Sequence, residues 1–214
     1  MREQLTDLRS TRNPKARIKI MEGHFATANS HINTYIDMST VKCRHNNGRE
    51  TARVLAEHFR NNTMVDTIVC LDGTEIIGAF MAEFLSDRGI MSINSGNNIS
   101  IITPDVNAYG QLVFMDSTIR MIKNMQVLVL AASVTTGRTI AQAAEAVSYY
   151  GGTVGGVAAI FSDVEQTPEE MEIFSIFHKE DLLDYQAYQP SECPMCRRKQ
   201  PLDAIVNSFG YSKL

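Results

Sequence analysis

Val127-Leu-Val-Leu-Ala-Ala-Ser-Val-Thr-Thr-Gly-Arg-Thr139 shows the clearest secondary-structure pattern in the sequence. Its first six residues form a continuous apolar run with the length of a buried strand. Small residues over 133–138 predict a loop, and apolar residues at helical spacing then predict a helix over 139–150. Residues 153–161 follow as the next strand. This βαβ unit predicts an α/β protein whose central, mostly parallel sheet is flanked by helices.

The alternation of helix and strand continues towards the N-terminus. Apolar spacing predicts a helix over 49–61, and β-branched residues predict a buried strand over 65–71. The turn Asp72-Gly73-Thr74 separates that strand from a second helix, whose apolar face runs from Ile77 to Leu85. Three further strands, less sharply bounded, are predicted over 91–94, 99–103 and 111–115.

Both ends of the chain differ from this middle part. Residues 1–19 are basic and are interpreted as a partly helical, solvated arm rather than a phosphate-attracting one. Residues 163–184 are acidic and are interpreted as a solvated face or helix start. After Pro201, apolar residues at helical spacing up to Phe209 predict a C-terminal helix that Gly210 ends.

Composition restricts the classes of function. The 214 residues carry 20 lysines and arginines against 24 acids, a net charge of −4 that argues against a dedicated nucleic-acid binder. No apolar run reaches the roughly 18 residues of a membrane span. The N-terminus lacks the apolar stretch of a secretory signal, so a cytoplasmic location is expected.

The loop after the first quoted strand is suited to bind phosphate. Its hydroxyls can donate hydrogen bonds, Gly137 lets successive amides turn towards one anion, and the following helix dipole favours negative charge. An ordinary serine- and threonine-rich helix cap is the alternative interpretation. The predicted phosphate-binding residues are Ser133, Val134, Thr135, Thr136, Gly137, Arg138 and Thr139.

This stretch resembles the phosphoribosyl-pyrophosphate motif of type I phosphoribosyltransferases, in which an apolar strand, two acids and a variable pair lead into Thr-Thr-Gly. Three more segments narrow the resemblance to the orotate phosphoribosyltransferases. They are Glu22-Gly-His-Phe25 with the later His31 and Tyr35, the segment Val69–Gly78, and Cys193-Pro-Met-Cys196.

The resemblance implies a type I phosphoribosyltransferase-like fold with a small N-terminal hood. The expected organisation is an arm and hood over 1–45, the α/β core over 46–185, and a tail with the Cys-x-x-Cys and a helix over 186–214. It further implies a homodimer that transfers phosphoribosyl from phosphoribosyl pyrophosphate to orotate with Mg²⁺. Residues 135–139 would hold the 5′-phosphate, and Asp72, Gly73 and Thr74 would face the pyrophosphate.

Two departures from the family pattern weaken the case for catalysis. Ala131 and Ala132 occupy the positions of the two acids that bind the ribose hydroxyls. The stretch from Ile90 to Phe114, where the family has a basic run, contains no lysine or arginine. Both losses remove electrostatic stabilisation of the transition state and the leaving group.

Three functions therefore stay open. The favoured one is a protein that binds phosphoribosyl pyrophosphate or a nucleotide monophosphate, with weak or lost transferase activity and a sensing or regulatory role. The second is a divergent, active orotate or nucleobase phosphoribosyltransferase with substitute groups. The third, less favoured, is a scaffold that binds no such ligand. Candidate substitute groups are Asp72, Glu75, Asp105 and Lys123.

Cys193 and Cys196 are also candidate zinc ligands, with His178 and one more residue completing the set. His24 and His31 follow the family pattern near the N-terminus. For His24 a structural hydrogen-bonding role is favoured over acid–base chemistry.

Overall fold

The computed structural model of the protein describes residues 5–11, 13–28, 30–89, 91–182, 184–207 and 209–214. Its strands are β1 Thr6–Arg9, β2 Arg17–Ala26, β3 His31–Asp37, β4 Thr67–Cys70, β5 Ser100–Ile102, β6 Asp105–Val106, β7 Leu112–Val113, β8 Gln126–Val134, β9 Thr153–Ser162, β10 Phe174–His178, β11 Ala187–Tyr188, β12 Ala204–Asn207 and β13 Gly210–Lys213. Its α-helices are α1 Ser39–Cys43, α2 His45–Phe59, α3 Glu75–Ser86, α4 Asp116–Ile119, α5 Arg138–Tyr149 and α6 Pro194–Arg197, and Lys179–Asp181 form a 3₁₀ turn.

A five-stranded parallel sheet, in the order β10-β9-β8-β4-β5, forms the centre of the α/β core. The inner strand β8 is buried on both faces. Leu128, Leu130 and Ala132 pack on the side of α2 and α3, and alternate residues pack on the side of α5. Helices thus cover both faces of the sheet, which confirms the α/β fold class predicted from the βαβ pattern.

The strand β8 is longer than its apolar run indicates. It continues through Ser133 and Val134, which pair with Phe161 and Ser162 of β9, so the predicted loop is shortened to residues 135–137. Ala131, Ser133 and their β9 partners keep the register of the parallel ladder up to this edge. Placing residues 133 and 134 in the loop was therefore wrong.

A second, six-stranded sheet, which we call the hood sheet, combines both ends of the chain. Its order is β11-β3-β2-β12-β13, and β1 pairs with β2. The partly helical arm predicted for residues 1–19 is wrong where the chain is described, because β1 and the start of β2 are antiparallel strands. Residues 1–4 and 12 lie outside the described residues. Buried Ala16 and Ile18 anchor this segment in the core.

The C-terminal helix predicted after Pro201 is also wrong. The segment is the hairpin β12–β13, and β12 pairs in parallel with β2 through Ala204 and Phe25. Burial alternates along β12, with Ala204 and Val206 buried and Ile205 exposed, so a period of two prevails over the apparent helical spacing.

Two other expectations need correction. The acidic segment 163–184 contains β10, whose residues 175–177 are buried beside β9. The strand predicted over 91–94 is instead a turn, whereas residues 99–103 contain β5 as predicted. Of the strand predicted over 111–115, only Leu112–Val113 forms.

None of the helices in the described part of the chain has the length and apolar character needed to cross a bilayer.

The structure of the tail makes a prediction about stability. Val206 is 5% exposed and Ile205 is 51% exposed, whereas a helix would place both on one apolar face. We expect Val206→Asp to lower the free energy of unfolding by about 2 kcal/mol or more, because it buries an unpaired charge. The matched Ile205→Asp should change it by less than about 0.5 kcal/mol. Urea denaturation measures both, and equal losses would contradict the hairpin.

Candidate ligand site

A cavity of about 270 Å³ lies between the hood sheet and the carboxyl edge of the core sheet. The hood sheet contributes residues from the β2–β3 turn, β3 and β12. The core contributes the ends of β4, β8 and β9 and the start of α5. In an open α/β sheet this edge is where ligands bind, because loops there lead into helix N-termini. Lining residues used below are Thr27, Ser30, Tyr35, Asp72, Ala132, Ser133, Thr135 and Thr139.

The loop before α5 presents an uncapped helix N-terminus to this cavity. Gly137 is the N-cap residue with φ 74°, and among the described residues no side chain caps the first turn. Thr135 and Thr139, on either side of Gly137 in the chain, also line the cavity. Amides and dipole together favour an anion at this point.

The other predicted phosphate-binding residues are placed differently. Ser133 is exposed and lines the cavity, whereas Val134 is 4% exposed and packs in the core under α5. Thr136 and Arg138 are exposed beside the loop but are not among the residues that line the cavity. The structure thus brings Ser133, Thr135 and Thr139 together in the cavity lining near the N-terminus of α5.

The turn Asp72-Gly73-Thr74 reaches the same cavity through Asp72. Asp72 and Gly73 both have a positive φ, 58° and 76°, which directs the chain sharply from β4 into α3. The hydroxyl of Thr74 is buried and donates to the carbonyl oxygens of Leu71 and Leu130, at 2.9 and 3.1 Å. Thr74 therefore ties β4 to β8, and Asp72 is the residue of this turn that faces the ligand space.

Lys42 is a functional candidate that the sequence analysis missed. Its ammonium group donates to the backbone carbonyl of Asp72 at 2.8 Å, and the residue is only 9% exposed. Burial lowers the pKa of Lys42, while Asp72 and other neighbouring acids oppose that shift. Lys42 lies on α1, 30 residues before Asp72, and no local pattern in the sequence marks the contact.

Ala131 and Ala132 point to opposite faces of β8. Ala132 lines the cavity, whereas Ala131 is 1% exposed in the core beneath α5. Only position 132 could therefore offer a carboxylate to a ligand here. Among the described residues that line the cavity, Asp72 carries the acidic group.

Three suggested substitutes for the missing groups lie away from the cavity lining. Glu75 accepts a hydrogen bond from the hydroxyl of Thr103 at 2.9 Å, and Asp105 is exposed in the β6–β7 hairpin. Lys123 contacts the region of Gly151, before β9 begins, and so lies at the amino edge of the sheet. Of the four candidates, Asp72 alone is at the ligand space.

The cavity also has an apolar and aromatic part to its lining. Ile32, Met38, Phe161 and Tyr185 line it, together with Tyr35. Burial, with smaller effects from Asp37 and Tyr211, raises the pKa of Tyr35 to about 12. Its phenol therefore stays protonated at neutral pH and can donate a hydrogen bond.

Cys193 and Cys196 lie outside this cavity, beside His24 and His31. Two imidazole nitrogens and two sulfurs from these residues all lie within 4.8 Å of one another. His178, suggested from the sequence as a third ligand, is not part of the group and instead bonds to the hydroxyl of Ser175. The resemblance had marked both N-terminal histidines, but nothing in the sequence joined them to the cysteines.

Known orotate phosphoribosyltransferases are similar to this chain. No protein-family model matches the chain. An orotate phosphoribosyltransferase of Chlorobaculum parvum is 24% identical over 194 residues, covering 86% of this chain and 88% of that protein. One of Sulfurimonas denitrificans is 25% identical over 203 residues, covering 83% and 88%.

Solved structures extend the comparison. The orotate phosphoribosyltransferase of Mycobacterium tuberculosis has a TM-score of 0.53 and 18% identity, and the match covers 77% of this chain and 92% of that one. The enzyme of Aeropyrum pernix has a TM-score of 0.52 and 16% identity, covering 76% and 90%. This is the type I phosphoribosyltransferase fold. The resemblance stated from the sequence is confirmed, with orotate phosphoribosyltransferases as similar proteins.

The conformation of the loop before α5 requires a glycine at position 137, which yields a second prediction. A Cβ there would lie 3.0 Å from Cδ of Pro168 and 3.1 Å from Cα of Thr167, in addition to the cost of a positive φ. We expect Gly137→Ala to lower the free energy of unfolding by about 2 kcal/mol or more, because the conformational cost alone is about 1–2 kcal/mol. Urea denaturation gives the value.

Gly110→Ala is the matched control, since Gly110 has a φ of 78° and nothing within 4 Å of its Cβ position. It shares the conformational cost but lacks the close contact. If both variants lost the same stability, the packing of residues 167 and 168 on the loop would be refuted.

Proposed function

We propose that the protein binds a ligand containing ribose 5-phosphate, either phosphoribosyl pyrophosphate or a nucleotide monophosphate, and that its transferase activity is weak or lost. Its role would then be sensing or regulation. The observation that carries the proposal is the uncapped N-terminus of α5, which opens on the same cavity as Ala132. The cavity offers a place for phosphate, while the position assigned to a ribose-binding acid carries no acidic group.

The polarity of the cavity supports a phosphoribosyl ligand. The hydroxyls of Ser133, Thr135 and Thr139 and the amides of α5 suit the 5′-phosphate. The aromatic rings of Phe161 and Tyr35, which also line the cavity, suit a planar base. The carboxylate of Asp72 lies on the side where the pyrophosphate or the sugar hydroxyls would sit. Gly73 and Thr74 support this turn rather than supplying side chains to the ligand.

The electrostatics of the cavity argue against rapid transfer. Positive charge develops on the sugar in the transition state, and an alanine methyl at position 132 cannot stabilise it. The departing pyrophosphate needs cations, yet among the described residues that line the cavity none is a lysine or arginine. Losing one such device typically costs a factor of about 10²–10³ in rate.

An active orotate phosphoribosyltransferase is the second candidate. It is favoured by the names of the curated relatives, which match over most of this chain. In that case Lys42, which donates to the carbonyl of Asp72, would supply a positive charge to the pyrophosphate. Mg²⁺ would neutralise charge on the pyrophosphate, and Asp72 would be the carboxylate to contact it. We also propose that the protein is a homodimer, as the resemblance implies, and that it is cytoplasmic.

Isothermal titration tests the binding proposal. We expect phosphoribosyl pyrophosphate and uridine 5′-monophosphate to bind, and uridine, which lacks the phosphate, to bind at least about tenfold more weakly, since hydrogen bonds to a charged group contribute about 1.5–3 kcal/mol. Thr139→Val should weaken the phosphate ligands by a similar factor, whereas Thr153→Val, an exposed position at the opposite sheet edge, should not. Absence of binding by either ligand would leave the scaffold function.

A restored acid tests the account of weak catalysis. We expect Ala132→Asp to raise the rate of pyrophosphate release from phosphoribosyl pyrophosphate, orotate and Mg²⁺ by about tenfold or more, because a carboxylate would again face the sugar. Ala132→Asn is the matched control with the same shape and no charge. Rapid turnover by the unaltered protein would instead establish the second candidate.

A further inference from the structure

His24, His31, Cys193 and Cys196 form a compact cluster from three separate segments of the chain. Nε2 of His24 lies 3.2 Å from Nδ1 of His31, 3.5 Å from Sγ of Cys193 and 3.6 Å from Sγ of Cys196. Nδ1 of His31 lies 3.3 Å from Sγ of Cys196. The atoms that can bind a metal therefore all point at one centre.

These separations are those of a tetrahedral zinc site. Zinc binds sulfur at about 2.3 Å and imidazole nitrogen at about 2.0–2.1 Å, so two nitrogens in a tetrahedron lie about 3.3 Å apart and a sulfur and a nitrogen about 3.6 Å apart. The nitrogens of His24 and His31 are 3.2 Å apart, and the three sulfur–nitrogen distances span 3.3–3.6 Å. Two cysteines and two histidines are also a common ligand set for structural zinc.

The ring of His24 is oriented as a metal ligand. Its Nδ1 lies 3.0 Å from the carbonyl oxygen of Gln200 and 3.2 Å from that of Pro201, and carbonyl oxygens only accept hydrogen bonds. Nδ1 therefore carries the proton, and the lone pair of Nε2 points at the cluster. Backbone carbonyls fix the tautomer of ligating histidines in this way.

Hydrogen bonding alone accounts for the cluster less well. The single lone pair of Nε2 can accept one good hydrogen bond, yet three donor or metal-binding atoms crowd within 3.6 Å of it. His24 and Cys193 are both fully buried, so their polar atoms need partners. One zinc ion would satisfy all four side chains.

The backbone around His24 is built to present this side chain. A bulge in β2 sets Gly23 and His24 opposite Asn33 of β3, which turns the imidazole out of the regular alternation. Asp203 satisfies the bulge: its carboxylate accepts from the amide of His24, and its amide donates to the carbonyl of His24, both at 2.8 Å. A Cβ on Gly23 would lie 2.8 Å from that carboxylate, so glycine is required.

We infer that these four residues bind one structural zinc ion that fastens the β2–β3 hairpin to the segment leading into β12. Four protein ligands leave no position open for a substrate. The site borders the ligand cavity, because the β2–β3 turn that precedes His31 contributes Thr27 and Ser30 to the cavity wall. Zinc would therefore fix the position of the β2–β3 turn, which forms part of the cavity wall.

Metal analysis tests the inference directly. The full chain, without a histidine tag and purified with zinc and a reductant, should contain one zinc per chain by plasma mass spectrometry. Cys196→Ser and His31→Ala should lose it, whereas Cys43→Ser and His45→Ala, which alter an exposed cysteine and an exposed histidine elsewhere, should keep it. Zinc-free unaltered protein, or equal zinc in all the variants, would overturn the inference.

Cobalt exchange keeps the test decisive if the variants fail to fold. The unaltered protein, stripped of metal by a chelator, should take up one Co²⁺ and show the visible bands of tetrahedral cobalt with a near-ultraviolet thiolate charge-transfer band. Removing metal should also lower the midpoint of thermal unfolding, and zinc should restore it. A stripped protein that binds no Co²⁺, or one with octahedral spectra lacking thiolate charge transfer, would refute the site.

Discussion

The parallel pairing of β8 with β4 on one side and β9 on the other is the constraint on which the site depends. It places the ends of these strands at one edge, so that the Asp72 turn, Ala132 and the loop before α5 meet across a single cavity. The hydroxyl of Thr74 reinforces this edge by donating to the carbonyls of Leu71, directly after β4, and of Leu130 in β8. Without this strand pairing, the groups that line the cavity would not meet at one edge of the sheet.

In the function proposed above, ligand binding and turnover depend on different parts of this arrangement. The uncapped helix end would hold phosphate through backbone amides, which no side-chain substitution at β8 removes. Charge stabilisation in the transition state depends instead on individual side chains, and position 132 holds a methyl group. A fold of this kind can therefore keep affinity for its ligand after the rate of transfer has fallen.

Secondary structure could be predicted from the sequence where the signal is local. The apolar run of β8, the helical period of α5 and the glycine before that helix all lie within one continuous stretch. The prediction of secondary structure failed where the deciding partner is distant in the chain. The segment β12 is a strand because it pairs with β2, and no sequence pattern near Val206 indicates this pairing. The contact of Lys42 with Asp72 likewise joins segments far apart in the chain, and so does the cluster of His24, His31, Cys193 and Cys196.

The hood sheet also has a consequence for the order of folding. Its strand β2 begins at Arg17, yet the partner β12 is not synthesised until Ala204. The α/β core can close from contacts nearby in the chain, whereas pairing of β2 with β12 closes a very long loop, a slow kind of contact to form. During synthesis on the ribosome, the cavity therefore gains its last wall only after β12 has emerged.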